Sequence, residues 1–99
     1  MATGRREEVL ATLRNHWPEL RSLGVAHLDV VGSVARDVAT PTSDVDLIAD
    51  FAEPMDFVRF FDLTDRLETM LGTHVDLMSR SSLKPHWRAH FAAEAVKVA

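Results

Sequence analysis

Cysteine is absent from the 99 residues, which excludes disulfides and thiolate metal sites and agrees with a reducing compartment. Long apolar runs are missing too, and nothing approaches the roughly 18 uninterrupted residues of a membrane-spanning helix. Residues 1–8 are polar and lack the apolar stretch of a secretory signal, so the expectation is a cytoplasmic protein without a membrane partner. Positive charge is in short supply: 11 Lys and Arg against 15 Asp and Glu give a net charge of -4. That balance argues against stable binding of nucleic acid through its phosphates, which needs a basic surface. There is no internal repeat, low-complexity tract or linker, and residues 1–99 are expected to form one domain. What remains, 46% hydrophobic and 26% charged, is an ordinary globular composition that can build a single modest core.

Punctuation along the chain predicts the elements. Thr3 is placed to cap a first helix, in which Glu7 and Glu8 suit the positive end of the dipole and Val9, Leu10, Leu13 and Trp17 form an apolar stripe. Pro18 should break or restart this helix and Gly24 should end it. Residues 25–31, rich in β-branched side chains, read as a strand that stops at Gly32, with a short helical turn expected at 34–38 and a loop at 40–43. A second strand is expected over 44–51, its alternation putting Asp44, Asp46 and Ile48 on one face and Val45, Leu47 and Ala49 on the other. Residues 56–71 carry Phe57, Phe60, Phe61, Leu67, Met70 and Leu71 at helical spacing, with Asp62 and Arg66 as an i, i+4 pair and Gly72 as the stop. A third strand follows over 73–78, with His74, Asp76 and Met78 on one face. Pro85 then opens a last helix through Ala95, and 96–99 are either a frayed tail or a short edge strand.

Residues 32–47, GSVARDVATPTSDVDL, carry the chemistry. Two aspartates at i, i+2 on one strand stand roughly 6.6 Å apart at the backbone, close enough for both carboxylates to converge on one divalent cation. Asp76, delivered by another strand, would add a third carboxylate and make room for metal ions that clamp a reacting phosphate. A strand that ends in Gly-Ser and enters a helical turn offers backbone N–H groups and a hydroxyl to an anion. Each half of the pattern is weak alone. Together they suit a nucleoside triphosphate with a divalent metal.

At these residues the chain resembles the minimal nucleotidyltransferases of the DNA polymerase β type, whose pattern is GSxARGxxxxxSDxDL, and Asp76 in HVDLM matches the family's third carboxylate. The resemblance implies an α/β (α+β) fold with a small mixed three-stranded sheet and helices mainly on one face. It implies that Asp44, Asp46 and Asp76 bind Mg²⁺ and that Asp76 favours deprotonation of the attacking hydroxyl. It places Gly32 and Ser33 on the β and γ phosphates of ATP, counts Ser43 with the nucleotide-binding positions, and leaves Arg36 either steadying the turn or meeting the triphosphate. One position departs: Asp37 stands where the family has Gly, which bears on a left-handed turn there. The resemblance further implies an antitoxin that neutralises a HEPN ribonuclease toxin by transferring AMP from ATP to one of its tyrosines. A contact-only antitoxin, or a transferase acting on a small molecule or an RNA end, are the alternatives.

Other residues have plainer readings. His86 and His90 have a zinc-compatible i, i+4 spacing but no Glu after the first His. Arg80, Lys84 and Arg88 form a basic series that is either solvated surface or a contact to a triphosphate or acidic partner. Trp17, Trp87 and the three phenylalanines 57, 60 and 61 read as packing, and any of those phenylalanines left exposed would mark a partner contact.

Overall fold

The β-branched run at Val25–Val31 gives strand β1 over the residues expected, and the computed structural model describes residues 4–40 and 43–99 in all. Ahead of β1 lie helices α1 (Arg5–Asn15) and α2 (Trp17–Ser22), split where Pro18 restarts the helix in its first turn. Thr3 falls outside the described residues, and the N-cap position of α1 is Gly4. After β1 come the single-turn helix α3 (Gly32–Ala35), strand β2 (Val45–Phe51), helix α4 (Phe57–Leu71) and strand β3 (Val75–Ser79). A 3-10 turn at Arg80–Ser82, helix α5 (Pro85–Ala92) and strand β4 (Val96–Lys97) complete the order.

The sheet has four strands rather than three, in the order β3-β2-β1-β4. β4 is only two residues long and pairs antiparallel with β1, Asp29 opposite Lys97 and Val30 opposite Val96. No strand-length apolar alternation announces it. Arg14 holds the segment in place from α1, donating to the carbonyls of Val98 at 2.8 Å and Lys97 at 3.0 Å. The mixed character of the sheet is as expected: β1 and β2 are antiparallel, and β2 and β3 are parallel, joined by α4 as the crossover.

One face of the sheet makes the core. Val9, Leu10 and Leu13 of α1, Leu20 of α2, and Leu63 and Leu67 of α4 pack on Leu28, Val30, Val45, Leu47, Ala49 and Val75. Leu13, Leu20 and Leu47 are fully buried, and each side chain contributes about 1.5–3 kcal/mol by leaving water. Asp56 caps α4 by accepting the Arg59 N–H at 2.8 Å, and Gly72 ends it in a left-handed conformation at φ 67°.

Several packing expectations are corrected. Phe57 and Phe61 are 81% and 62% exposed, because Leu63 and Leu67 take the core-facing positions of α4 and leave Phe57 and Phe61 stacked on one another outside. Trp87 is also exposed, on a helix with no buried side chain, and lies against His90 and Phe91. Arg66 reaches across to Glu19 of α2 rather than back to Asp62. Among the described residues no helix is long and apolar enough to cross a membrane.

Candidate active site

The second face of the sheet carries the acids. Register pairs Val31 with Asp46 across β1 and β2, and Asp46 with Asp76 across β2 and β3, so the two aspartates are direct neighbours on adjacent strands. Residues directly opposite one another on paired strands point to the same face, so both side chains do. Asp44 lies one residue before β2 rather than inside it. Its neighbour Val45 donates its N–H to the His74 carbonyl at 3.1 Å, which ties the entries of β2 and β3 together. Asp44, His74 and Asp76 thereby bring ligand atoms within 4.8 Å of one another on an exposed edge.

Crowding of these carboxylates shows in their electrostatics. Burial pushes the Asp46 carboxyl above its usual value, and Asp76 and Asp44 push it further in the same direction. Slight burial pulls the His74 imidazole down, but Asp44, Asp76 and Glu68 outweigh it and hold the ring above its ordinary value. His74 Nδ1 sits 2.8 Å from Glu68 Oε2 and Nε2 sits 3.3 Å from Asp76 Oδ1, so Glu68 orients a ring that leans on the third aspartate. Glu68 is itself fixed by the Val75 N–H at 2.9 Å. A set of clustered carboxylate oxygens is the donor chemistry that hard cations such as Mg²⁺ take, and a cation would relieve the repulsion that raises Asp46. The residues therefore fit that ion.

Next to the acids stands the Gly-Ser turn. Gly32 opens α3 at φ 74°, and a Cβ there would overlap the Asp46 carboxylate, so glycine is what lets β1 turn so close to the second aspartate. Ser33 lies in the same turn, and its carbonyl accepts the Val38 N–H at 3.0 Å. Helix formation starts at Gly32, two residues earlier than expected. Asp37, where the motif has glycine, takes a left-handed conformation at φ 60°. Its carboxylate lies 3.9 Å from Arg6 Nη2. Ser43 is engaged in its own loop, where its hydroxyl accepts the Thr40 N–H at 2.9 Å. Pro41 and Thr42 of that loop lie outside the described residues.

Sequence reasoning missed Glu94 as a member of this site. Its carboxylate accepts the Gly32 N–H at 3.0 Å and the Arg36 guanidinium at 2.7 Å. No local pattern could announce a contact that spans 62 residues. Arg80 is corrected in the other direction. It is spoken for by Asp29, through Nη2, and by Asp50, through Nε at 2.9 Å, and so pins the 3-10 turn to the sheet. A cavity of about 790 Å³ bounded by Phe51, Met55, Phe60 and Ser79 opens at the far end of β2 and β3 and contains none of the acids of the site.

Comparison with known proteins places the chain in a family. The nucleotidyltransferase domain family matches residues 13–98. Protein adenylyltransferase MntA of Thermococcus cleftensis is 42% identical over 85 residues, covering 85% of this chain and 86% of the relative. A solved structure described as a minimal nucleotidyltransferase superposes with a TM-score of 0.70 at 35% identity, covering 93% of this chain and 87% of the other. A crystal structure of a toxin-antitoxin with AMP-PNP has the same fold, with a TM-score of 0.70 at 18% identity over 95% of this chain and 72% of its own. The chain belongs to the nucleotidyltransferase domain family and is a minimal nucleotidyltransferase.

Proposed function

We propose that residues 1–99 act as one minimal nucleotidyltransferase unit that transfers AMP from ATP to a tyrosine hydroxyl of a cognate HEPN ribonuclease toxin and so serves as its antitoxin. The observation that carries this reading is the opposition of Asp46 and Asp76 across β2 and β3, with Asp44 beside them and the Gly32 turn against Asp46. Two further facts support it: the relative from Thermococcus cleftensis is named a protein adenylyltransferase, and a structural neighbour is a toxin-antitoxin with AMP-PNP. Asp44 and Asp76 lie exposed at a sheet edge, which suits an acceptor delivered on another protein's surface.

In this scheme Gly32, Ser33 and Arg36 hold the β and γ phosphates, with Ser43 shaping the loop beside them, and leave the α-phosphorus open to in-line attack. Asp44, Asp46 and Asp76 hold Mg²⁺, which when bound supplies neutralisation of the phosphate charge. The tyrosine oxygen forms a bond to the α-phosphorus, the bond from that phosphorus to the bridging oxygen breaks, and pyrophosphate leaves. Asp76 accepts the tyrosine proton, with His74 against it.

Incubation of the chain with Mg²⁺, ATP and the toxin encoded beside it, followed by intact mass of the toxin, tests this directly. The toxin should gain one or more AMP groups and lose ribonuclease activity, and D44N/D46N should abolish both. Neutralisation that survives D44N/D46N with no added mass would establish inhibition by contact instead, and label appearing on RNA or a small molecule without the toxin would establish a different acceptor.

A further inference from the structure

Two donors assigned above to the triphosphate already have an anionic partner within the chain. Glu94 Oε1 accepts from the Gly32 N–H at 3.0 Å, and Glu94 Oε2 accepts from Arg36 Nη1 at 2.7 Å. One carboxylate thus spans the first glycine and the arginine of the motif, using both oxygens, as a phosphate group would use two of its own. The Glu94 side chain is only 13% exposed whereas that of Arg36 is 51% exposed, so the carboxylate is sunk into the turn and the guanidinium closes over it from outside.

We propose that Glu94 is an internal stand-in for the triphosphate and sets the affinity of the site for nucleotide, because ATP can take the Gly32 N–H only when this carboxylate has left it, and Arg36 then turns from its internal partner to the phosphates. The inference rests on the phosphate-binding role proposed for Gly32, Ser33 and Arg36. A single N–H has one hydrogen to donate, and an incoming phosphate oxygen at hydrogen-bond distance from it would meet the Glu94 oxygen at close range, charge against charge. The Gly32 N–H therefore serves one anion at a time. Burial pushes the Glu94 carboxyl up, but Arg36 and the Gly32 N–H outweigh it and hold the group below its ordinary value, so it is an anion at neutral pH. That charge also reaches Asp46 and adds to the repulsion there.

The route out is short. Glu94 lies between the last turn of α5, a helix with no buried side chain, and β4. Beyond it, Val98 is buried and the carbonyls of Lys97 and Val98 are held by Arg14. The carboxylate can swing away with α5 yielding, while the tail stays docked.

Calorimetric titration of the full chain with AMP-PNP and Mg²⁺ tests the inference, using wild type and Glu94→Gln, with adenosine as a ligand that has no phosphates. Glutamine keeps the shape and removes the charge. AMP-PNP should bind Glu94→Gln about tenfold or more tightly than wild type, the scale of one charge-assisted hydrogen bond, while adenosine affinity stays the same. Equal or weaker binding of AMP-PNP to the variant, or an equal gain for adenosine, overturns the inference and leaves the proposed function standing. If wild type fails to bind AMP-PNP at all, the phosphate role of the turn falls and this inference falls with it. Should the variant fold poorly, the wild-type protein gives a second reading. The Glu94 side-chain carboxyl carbon resonance should move toward that of a solvated glutamate on saturation with AMP-PNP, and a resonance that stays in place overturns the inference.

Discussion

Asp37 shows how a single backbone angle can decide what a motif tolerates. The left-handed conformation at φ 60° is a glycine position, and an aspartate adopts it at less cost than most residues. The exposed Arg6 pair, at 3.9 Å, offsets little, since such pairs contribute under about 1 kcal/mol. Asp37→Gly is therefore expected to be neutral or mildly stabilising. Asp37→Ala keeps the strain and loses both the carboxylate and its local hydrogen-bonding capacity. It should cost about 1 kcal/mol, a fall of roughly 4–8 °C in thermal midpoint for a chain of this size. An alanine variant that melts at or above wild type would show that the turn is not strained. The residue departing from the family pattern was visible in the sequence, but the conformation it takes was not, because φ at one residue is set by what surrounds the turn.

Elements were legible where a period was long enough to read. The β-branched run of β1 and the apolar repeat and glycine stop of α4 were found at or within a residue of their bounds. The start of α3 was read two residues late, since a lone helical turn has no period, and β4 was left open because two residues cannot alternate. Phe57 and Phe61 were misplaced for a related reason: a segment this dense in apolar residues fits more than one helical face, and the core takes the face of Leu63 and Leu67. Arg80 makes the same point for polar contacts. Its partners Asp29 and Asp50 come from β1 and β2, so the ion pairs exist only once the sheet does. With the Arg80 side chain 26% exposed, its replacement leaves two carboxylates side by side on a half-covered sheet face. Arg80→Leu should cost about 1–3 kcal/mol, read as a lower urea midpoint. AMP-PNP affinity should be unchanged, since the guanidinium is committed to the sheet. Weakened nucleotide binding at unchanged stability would mean instead that Arg80 serves the triphosphate.

At the scale of the whole molecule, an acidic protein of net charge -4 gathers Asp44, Asp46 and Asp76 at one end of its sheet, with Glu94 nearby, and at Asp46 its stability carries that arrangement as a cost. The sign follows from Asp46. Burial, then Asp76 and Asp44, raise its carboxyl in the folded chain, while unfolding returns it to the ordinary value of 3.8. Over the window between those two values the native state holds more proton than the unfolded one, so the Asp46 contribution grows more favourable as pH falls through it and is fully unfavourable above it. Glu94 runs the other way: its lowered carboxyl stabilises the fold at neutral pH, and that gain is lost as pH falls through its folded value. In chelator at pH 7, Asp46→Asn should therefore melt above wild type. Asp46 is only partly buried, so after allowance for solvent screening the gain is under about 1 kcal/mol, or a few degrees. Lowering the pH toward the carboxylate range should close the gap, because wild type then protonates what asparagine has replaced. Mg²⁺ should close it from the other side, since an ion at about a hundred times its dissociation constant stabilises the native state by roughly 2.7 kcal/mol, and only the intact carboxylate set can hold it. Thermal melts of the two proteins with chelator and with Mg²⁺ decide the matter. An asparagine variant that melts no higher than wild type in chelator would mean that the carboxylates are not crowded, and with that the physical ground for a cation between them disappears.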